Sequence, residues 1–105
     1  MTRRIAVVVF PGFQLLDAAG PIAAFEIAGR MRPGTYEIAV LAALPGDVAS
    51  SAGARMSAEP LDDGPFDTIV ISGGDGTRDL PQLIPVIDWL KRGAPAARRV
   101  TSVGY

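Results

Sequence analysis

Short, uninterrupted apolar runs most strongly constrain how this chain can fold. The run IAVVVF at 5–10 is closed by Pro11-Gly12, and the run TIVI at 68–71 is followed by SGGDG. A similar segment, VTSV at 100–103, has β-branched residues at three of its four positions. A strand that is buried on both faces has such a pattern, whereas a strand with one solvated face alternates apolar and polar residues. The runs therefore predict buried strands of a parallel sheet.

A segment with helical periodicity follows the first run. Apolar residues recur at helical spacing over 15–27, and Pro33-Gly34 marks the end of the segment. Gly20-Pro21 is expected to break this helix or to restart it, with the proline in the first turn of the restarted part.

Further elements complete the pattern. YEIAVLAAL at 36–44 is predicted to be a strand, and 83–92 an amphipathic helix. The buried face of that helix is predicted to carry Leu83, Val86, Ile87 and Leu90, with Trp89 beside it. Residues 48–51 and 54–57 predict a small hairpin lying off the main sheet, followed by a loop over 59–65.

The alternation of strands and helices predicts an α/β fold, with a doubly wound, mostly parallel sheet in a single domain that spans 1–105. The domain is expected to be incomplete at its C-terminal end, because a typical doubly wound domain has more strands and helices. The last strand, at 100–103, requires cover on both faces. Part of that cover is expected from a helix beyond residue 105.

The composition limits the chemistry that the chain can perform. It contains no cysteine and no histidine, and therefore neither a thiolate nucleophile nor the commonest general base and metal ligand. No metal site and no cofactor are expected. The formal net charge of −1 gives no basic surplus for nucleic-acid binding. The N-terminal MTRRIAVVVF lacks the features of a signal peptide, no run reaches the roughly 18 apolar residues of a membrane span, and a cytoplasmic location is predicted.

Three loops are predicted at the carboxyl edge of the sheet, where ligands of open α/β sheets bind. They are 11–14 leading to Asp17, 72–78, and Gly104-Tyr105. If the strands are parallel, the three loops meet at one cleft, which is the candidate site for a small molecule.

The glycine loop SGGDG at 72–76 has two interpretations. Its glycines can bring backbone N–H groups close to a phosphate or an oxyanion. Alternatively, it is a tight strand-to-helix turn that needs a positive φ angle. The loop lacks the G-x-G-x-x-G spacing and the chain has no G-x-x-x-x-G-K-[ST], which argues against a nucleotide site.

Asp17 is an acidic residue within the otherwise apolar stretch LLDAAGP. A carboxylate there is expected to be partly buried and to require hydrogen-bond donors, which makes it a candidate functional acid. The alternative is an N-cap for a helix that restarts near Gly20-Pro21. Glu26 is predicted to face solvent on the same helix. Three further acids are expected on the entry side of their strand, far from the cleft: Asp62, Asp63 and Asp67.

Five segments along the chain carry a resemblance to a known family. They are RIAVVVFPGF at 4–13, LLD at 15–17 with the Gly20-Pro21 pair, SSAG at 50–53, ISGGDG at 71–76 and RRVTSV at 98–103. In this order and at this spacing, they resemble the first part of a ThiJ/PfpI-type domain, a family related in fold to the class I glutamine amidotransferases. Within it, the resemblance is greatest to the amidotransferase-like domain of AraC-type transcriptional regulators, followed by the isocyanide hydratases.

The resemblance implies a flavodoxin-like fold and specific roles for loop residues. In catalytic members, a strand similar to 101–103 leads into a nucleophile elbow with a cysteine, whose thiolate a helix N-terminus favours. An acid at the position of Asp17 hydrogen-bonds that cysteine, and a loop matching Gly73-Gly74 directs backbone N–H groups toward an oxyanion. Here Gly104 occupies the cysteine position, so no catalytic residue is assigned. The pocket residues that the resemblance implies are Asp17, Gly73, Gly74, Gly104 and Tyr105.

The sequence therefore predicts the ligand-sensing, amidotransferase-like domain of an AraC-type regulator, non-catalytic in these 105 residues. Its expected partners are an unidentified small molecule, a second copy of the chain, and DNA through a C-terminal domain that these residues do not include. No membrane partner is expected. The alternative is a ThiJ/PfpI-type enzyme, similar to isocyanide hydratases, glyoxalases or hydrolases, whose nucleophilic cysteine is missing here. A third interpretation, a scaffold without a ligand, predicts a chain that dimerises or is marginally stable.

Overall fold

The computed structural model describes residues 2–103, with six strands and two α-helices in that range. The strands are β1 (Arg3–Val8), β2 (Tyr36–Ala42), β3 (Gly46–Ala49), β4 (Arg55–Pro60), β5 (Thr68–Ile71) and β6 (Arg99–Ser102). The helices are α1 (Leu15–Met31) and α2 (Leu80–Gly93), and short 3-10 turns cover Asp75–Arg78 and Ala94–Ala96. Neither α-helix of this part of the chain has the length and apolar character that a membrane crossing requires.

One six-stranded sheet has the order β3-β4-β2-β1-β5-β6. β1 lies near its centre, parallel to β2 on one side and to β5 on the other, and β6 continues parallel beyond β5. Among the described strands, β3 alone runs antiparallel to its neighbour, which is β4. The predicted α/β class with a mostly parallel, doubly wound sheet is therefore confirmed.

Alternate residues of β1 face the two helices, which explains the unbroken apolar run. Ile5 and Val7 belong to the core cluster that α1 joins, whereas Ala6 and Val8 belong to the cluster that α2 joins. All four side chains are 0% exposed. Because full burial of a valine or isoleucine side chain contributes roughly 1.5–3 kcal/mol, β1 is a firm support for the loop that follows it.

α1 continues without a break through Gly20-Pro21, which corrects the expected interruption. Pro21 has no N–H group to donate to the carbonyl oxygen of Asp17, one turn earlier. Two features compensate for this loss. The residue before a proline is driven out of the helical conformation partly by its own Cβ atom, which Gly20 lacks. In addition, Ala18 and Ile22 pack against the sheet on either side of the pair.

The buried face of α2 differs from the predicted one. Trp89 is 2% exposed and Val86 is 4% exposed, whereas Ile87 is 42% exposed. The Nε1–H group of Trp89 donates to the carbonyl oxygen of Asp62 at 2.6 Å, and its ring centroid lies 6.0 Å from that of Phe66. These contacts with the loop before β5 turn Trp89 inward and leave Ile87 at the surface.

Both edges of the sheet also differ from the prediction. The end of β4 pairs with β2, so the β3–β4 hairpin belongs to the main sheet, and Glu59 and Pro60 are strand rather than loop residues. At the other edge, all four residues of β6 are exposed, contrary to the prediction of a buried strand. β6 is an edge strand whose described neighbour is β5. The cover that was expected from beyond residue 105 lies outside the described residues.

Candidate ligand-binding site

Asp17 lies in the first turn of α1 and has only 9% of its surface exposed. Its Oδ2 atom accepts a hydrogen bond from the backbone N–H group of Gly73 at 3.1 Å, across 56 residues of sequence. Because α1 begins at Leu15 and does not restart at Gly20-Pro21, the N-cap interpretation of Asp17 is wrong. The Oδ1 atom of Asp17 accepts no hydrogen bond from the described residues, so it remains an available acceptor.

The loop after β1 is tied to the β3–β4 hairpin, and this fixes the start of α1. The N–H group of Ser51 donates to the carbonyl oxygen of Phe13 at 2.9 Å, and the N–H group of Gly12 donates to that of Ala49 at 2.9 Å. Phe13 is fully buried. Gly12 has a φ angle of 82°, a conformation that glycine adopts without steric cost. Asp17 is thus positioned by residues that the hairpin holds in place.

The glycine loop at 72–76 docks directly on the loop after β1. The N–H group of Gln14 donates to the carbonyl oxygen of Gly73 at 2.9 Å, and that of Gly76 donates to the carbonyl oxygen of Gly12 at 3.2 Å. Gly74 has a φ angle of 117°, and a Cβ atom there would come within 2.6 Å of the Gln14 nitrogen. The interpretation of the loop as a turn that needs positive φ is confirmed at Gly74, and the close docking leaves no space for a side chain.

The backbone N–H groups of this loop differ in their partners. The N–H group of Gly73 donates to Asp17. Gly74 is also buried, but its N–H group donates to no acceptor within residues 2–103. Buried backbone N–H groups are rarely left without an acceptor. The N–H group of Gly74 is therefore the candidate donor of the loop to a bound ligand.

Two buried serine hydroxyls at this edge have no hydrogen-bond partner in the described part of the chain, those of Ser50 and Ser72. Ser72 directly follows β5 and is 2% exposed, and Ser50 forms an isolated parallel bridge with Phe13. Neither residue was among the predicted pocket residues, although a serine that directly follows a buried strand was a visible signal. An unpartnered buried hydroxyl costs roughly 1–3 kcal/mol, which makes both hydroxyls candidate ligand contacts.

The third predicted loop follows β6. The N–H group of Val103 donates to the carbonyl oxygen of Ile71 at 3.0 Å, which extends the pairing between β5 and β6 by one step. The chain therefore arrives beside the start of the glycine loop. Gly104 and Tyr105, the remaining predicted pocket residues, lie outside the described residues. Of the predicted set, the structure brings Asp17 and the Gly73-Gly74 pair together.

Glu26 and the acids that form ion pairs before β5 lie away from this edge. Glu26 is exposed and pairs with Arg30 at 2.9 Å, as predicted for a solvated helix face. At the opposite, amino edge, two ion pairs engage acids that precede β5: Arg4 with Asp62 at 3.0 Å, and Arg98 with Asp67 at 3.1 Å. These pairs join strand starts to the entry loop of β5 and are separate from the candidate site.

A family model matches this chain. The model of the DJ-1/PfpI family matches residues 3–105, which is nearly the whole sequence. No curated protein sequence matches the chain at a significant level.

Solved structures share the fold along nearly the whole chain. A ThiJ/PfpI family protein from Pseudomonas syringae has a TM-score of 0.82 at 22% identity, with 97% of this chain and 42% of that chain covered. An AraC family transcriptional regulator from Pseudomonas putida has a TM-score of 0.78 at 19% identity, with 94% and 55% covered. A DJ-1 superfamily protein from Agrobacterium tumefaciens has a TM-score of 0.68 at 25% identity, with 97% and 53% covered. The chain thus spans about half the length of the structures that it matches.

Proposed function

The chain belongs to the DJ-1/PfpI family, and from that premise we propose that it is the ligand-sensing, amidotransferase-like domain of an AraC-type transcriptional regulator. A small molecule binds at the carboxyl edge of the sheet, where it contacts Asp17 and the backbone of Gly73-Gly74. Binding shifts the packing of this domain against a DNA-binding domain that these 105 residues do not include. The fold that the chain shares with an AraC family regulator supports this proposal.

The pairing of a free acceptor with a free donor is the observation that carries the proposal. Oδ1 of Asp17 and the N–H group of Gly74 each lack a partner among the described residues, and both belong to the same docked pair of loops. Ligand pockets typically combine shape with a few such convergent polar groups. A small neutral amide or alcohol, which offers both a donor and an acceptor, matches both groups.

Sensing is favoured over catalysis because the chain supplies no cysteine nucleophile. The sequence contains no cysteine, and Gly104 stands where the resemblance places the thiol of catalytic members. The carboxylate of Asp17 and the backbone donors of the glycine loop would orient a ligand without attacking it.

A ThiJ/PfpI-type enzyme is the second candidate function. It is favoured by the same hydrogen bond between Asp17 and Gly73. An oxyanion site consists of a nucleophile, an acid and backbone donors, and this chain retains the acid and the donors. A Gly104→Cys protein, assayed with an alkyl isocyanide and with methylglyoxal, tests this candidate. Turnover that requires both the introduced thiol and Asp17 would favour the enzyme, whereas absence of turnover with intact folding favours sensing.

The complete protein is proposed to act in the cytoplasm as a homodimer. DNA binding would come from a C-terminal domain, as the resemblance to AraC-type regulators implies. The reading frame that follows codon 105 provides a direct test. Two helix-turn-helix units encoded there support the regulator, and a frame that encodes only further α/β elements supports the enzyme.

Binding at the candidate site can be tested without knowledge of the natural ligand. Acetamide offers both N–H donors and a carbonyl acceptor, and a titration followed by amide NMR should shift the resonances of Gly73 and Gly74 in a saturable way. Asp17→Ala should abolish saturation, whereas Glu26→Ala, a surface acid of the same helix, should leave it unchanged. Saturable shifts that are confined to another part of the chain, or that survive Asp17→Ala, would contradict the proposed site.

A further inference from the structure

A cavity lies at the carboxyl edge, beside α2. It has a volume of about 230 Å³ and lies between the ends of β1 and β2 and the first turns of α2. Its walls come from 9–11, 42–44, Pro81, Gln82 and Pro85. Neither Asp17 nor the glycine loop lines the cavity, so it is separate from the candidate site described above.

The walls of this cavity determine the charge of a suitable ligand. They include no ionisable side chain, and most of their surface is apolar, with Phe10, Leu44 and three proline rings among the lining groups. A charged ligand would lose its hydration there without gaining a partner of opposite charge. The walls therefore favour an uncharged and largely apolar ligand.

The volume limits the size of that ligand. An engineered apolar protein cavity of about 150 Å³ binds benzene, and pockets for drug-sized molecules hold about 300–1,000 Å³. The volume of about 230 Å³ lies between these two values. It accommodates a single aromatic ring with a small substituent.

Gln82 supplies the polar group of the cavity. Its Nε2 atom donates to the carbonyl oxygen of Pro11 at 3.0 Å and to that of Gly76 at 2.9 Å. Since both neighbours are acceptors, the orientation of the amide group is determined. The Oε1 atom of Gln82 accepts no hydrogen bond within residues 2–103, so it is free to accept one from a ligand.

We propose that this cavity is a second binding site, specific for an uncharged monocyclic aromatic molecule that carries one hydrogen-bond donor, such as a phenol. The ring contacts Phe10, Leu44 and the proline rings, and the hydroxyl group donates to Oε1 of Gln82. The same Gln82 side chain joins the loop after β1 to the glycine loop. This proposal stands independently of the proposed function, because it uses no residue of the site around Asp17.

A titration of the purified protein with phenol, followed by amide NMR, tests the proposal. Saturable shifts are expected at Val9, Phe10, 42–44 and Gln82, with nuclear Overhauser contacts between the phenol ring and Leu44. Ala43→Leu fills the cavity and should weaken binding at least about tenfold. Ala52→Leu adds the same side chain at an exposed turn and should leave the affinity unchanged.

Two comparisons test the ligand class. Gln82→Met keeps the side-chain length but removes the whole amide group, both the acceptor and the Nε2 donor to Pro11 and Gly76, and it should weaken phenol binding roughly threefold to tenfold. Benzene, which has no hydroxyl group, should bind to the original protein more weakly than phenol by a similar factor. Benzoate should not compete with phenol. Benzoate that binds as tightly as phenol, or phenol contacts located only outside the cavity, would overturn the proposal. The nuclear Overhauser contacts decide this point even if Ala43→Leu fails to fold.

Discussion

The Oδ2 atom of Asp17 lies 3.1 Å from the backbone nitrogen of Gly73, and this hydrogen bond connects the first turn of α1 to the glycine loop. The carbonyl oxygen of Gly73 accepts a second hydrogen bond, from the N–H group of Gln14 at 2.9 Å. Gly73 is thus bound through both of its backbone groups to the segment that opens α1. The candidate site therefore depends on the parallel pairing of β1 with β5, which brings these two loops to the same edge.

Replacement of Asp17 should show how much this hydrogen bond contributes to stability. Asp17→Ala is expected to lower the free energy of unfolding by roughly 1–3 kcal/mol, because the N–H group of Gly73 stays buried without an acceptor. Asp17→Asn should lose less, since its amide oxygen can still accept the bond. Urea unfolding at neutral pH measures both changes. The control is Glu26→Ala, whose exposed pair with Arg30 contributes about 0.3–0.5 kcal/mol. Equal losses for the two alanine variants would contradict a structural role for the bond.

Gly76 is expected to tolerate no side chain. A Cβ atom there would overlap the carbonyl oxygen of Pro11 and lie 2.8 Å from the ring of Phe10. Gly76→Ala should therefore destabilise the protein by roughly 3 kcal/mol, at the upper end of the range for overpacking. Gly53→Ala is the comparison, because Gly53 has a φ angle of 87° but open space around it. It should cost about 1–2 kcal/mol from backbone strain alone. Thermal unfolding that ranks Gly76→Ala as the milder change would contradict the close docking of the two loops.

The sequence was most informative where local signals decide the structure. β5 has the predicted bounds, Thr68–Ile71, because an apolar run of that length has turn residues on both sides. The sequence was less informative where a distant contact decides. Periodicity alone could not place Trp89 inward, because the carbonyl oxygen that its indole N–H group contacts belongs to Asp62, 27 residues earlier. The exposure of β6 likewise depends on what covers an edge strand, which its own residues do not encode.

In the candidate site, too, local signals were readable from the sequence and distant contacts were not. Asp17 is a candidate from the sequence because a carboxylate is unexpected in an apolar stretch. The structure confirms that it is buried. Its partner could be reached only through topology, since Gly73 lies 56 residues away. The buried hydroxyls of Ser50 and Ser72 were missed, because serine is common in turns and its burial depends on how the loops dock.

The Gly20-Pro21 pair offers a test of why α1 does not break. Alanine normally favours a helix over glycine by roughly 0.5–1 kcal/mol. Gly20→Ala is nevertheless expected to destabilise the protein, because the new Cβ atom would meet the ring of Pro21. Gly29→Ala is the matched control: it lies in the same helix, and at both glycines a Cβ atom meets nothing within 4 Å apart from the adjacent residues, but no proline follows Gly29. It should stabilise by roughly 0.4–1 kcal/mol. Urea unfolding that gives both variants the same sign would show that Gly20 has no special role.

The pair formed by Arg4 and Asp62 predicts a specific dependence of stability on pH. The hydrogen bond from the Arg4 guanidinium, followed by that from the N–H group of Gly64, lowers the pKa of Asp62 below its ordinary value of 3.8. A carboxyl group whose pKa is lowered by folding contributes stability above the unfolded pKa, and this contribution is lost as the pH falls through the folded value. Asp62→Asn should therefore cost most at neutral pH, and its cost should shrink below pH 3.8.

The size of this effect is limited by solvent. The side chains of Arg4 and Asp62 are 31% and 44% exposed, so the cost at neutral pH should stay at or below about 1 kcal/mol. Urea unfolding from neutral pH to about pH 3 measures the difference between the original protein and Asp62→Asn. Asp63→Asn, at the exposed neighbouring position, is the control for the loss of one negative charge from this loop. A cost of Asp62→Asn that stays constant across this range would mean that Arg4 does not stabilise the ionised carboxylate. The contribution of Arg4 would then come from its packing on Phe66, whose ring centroid lies 4.5 Å from the guanidinium carbon.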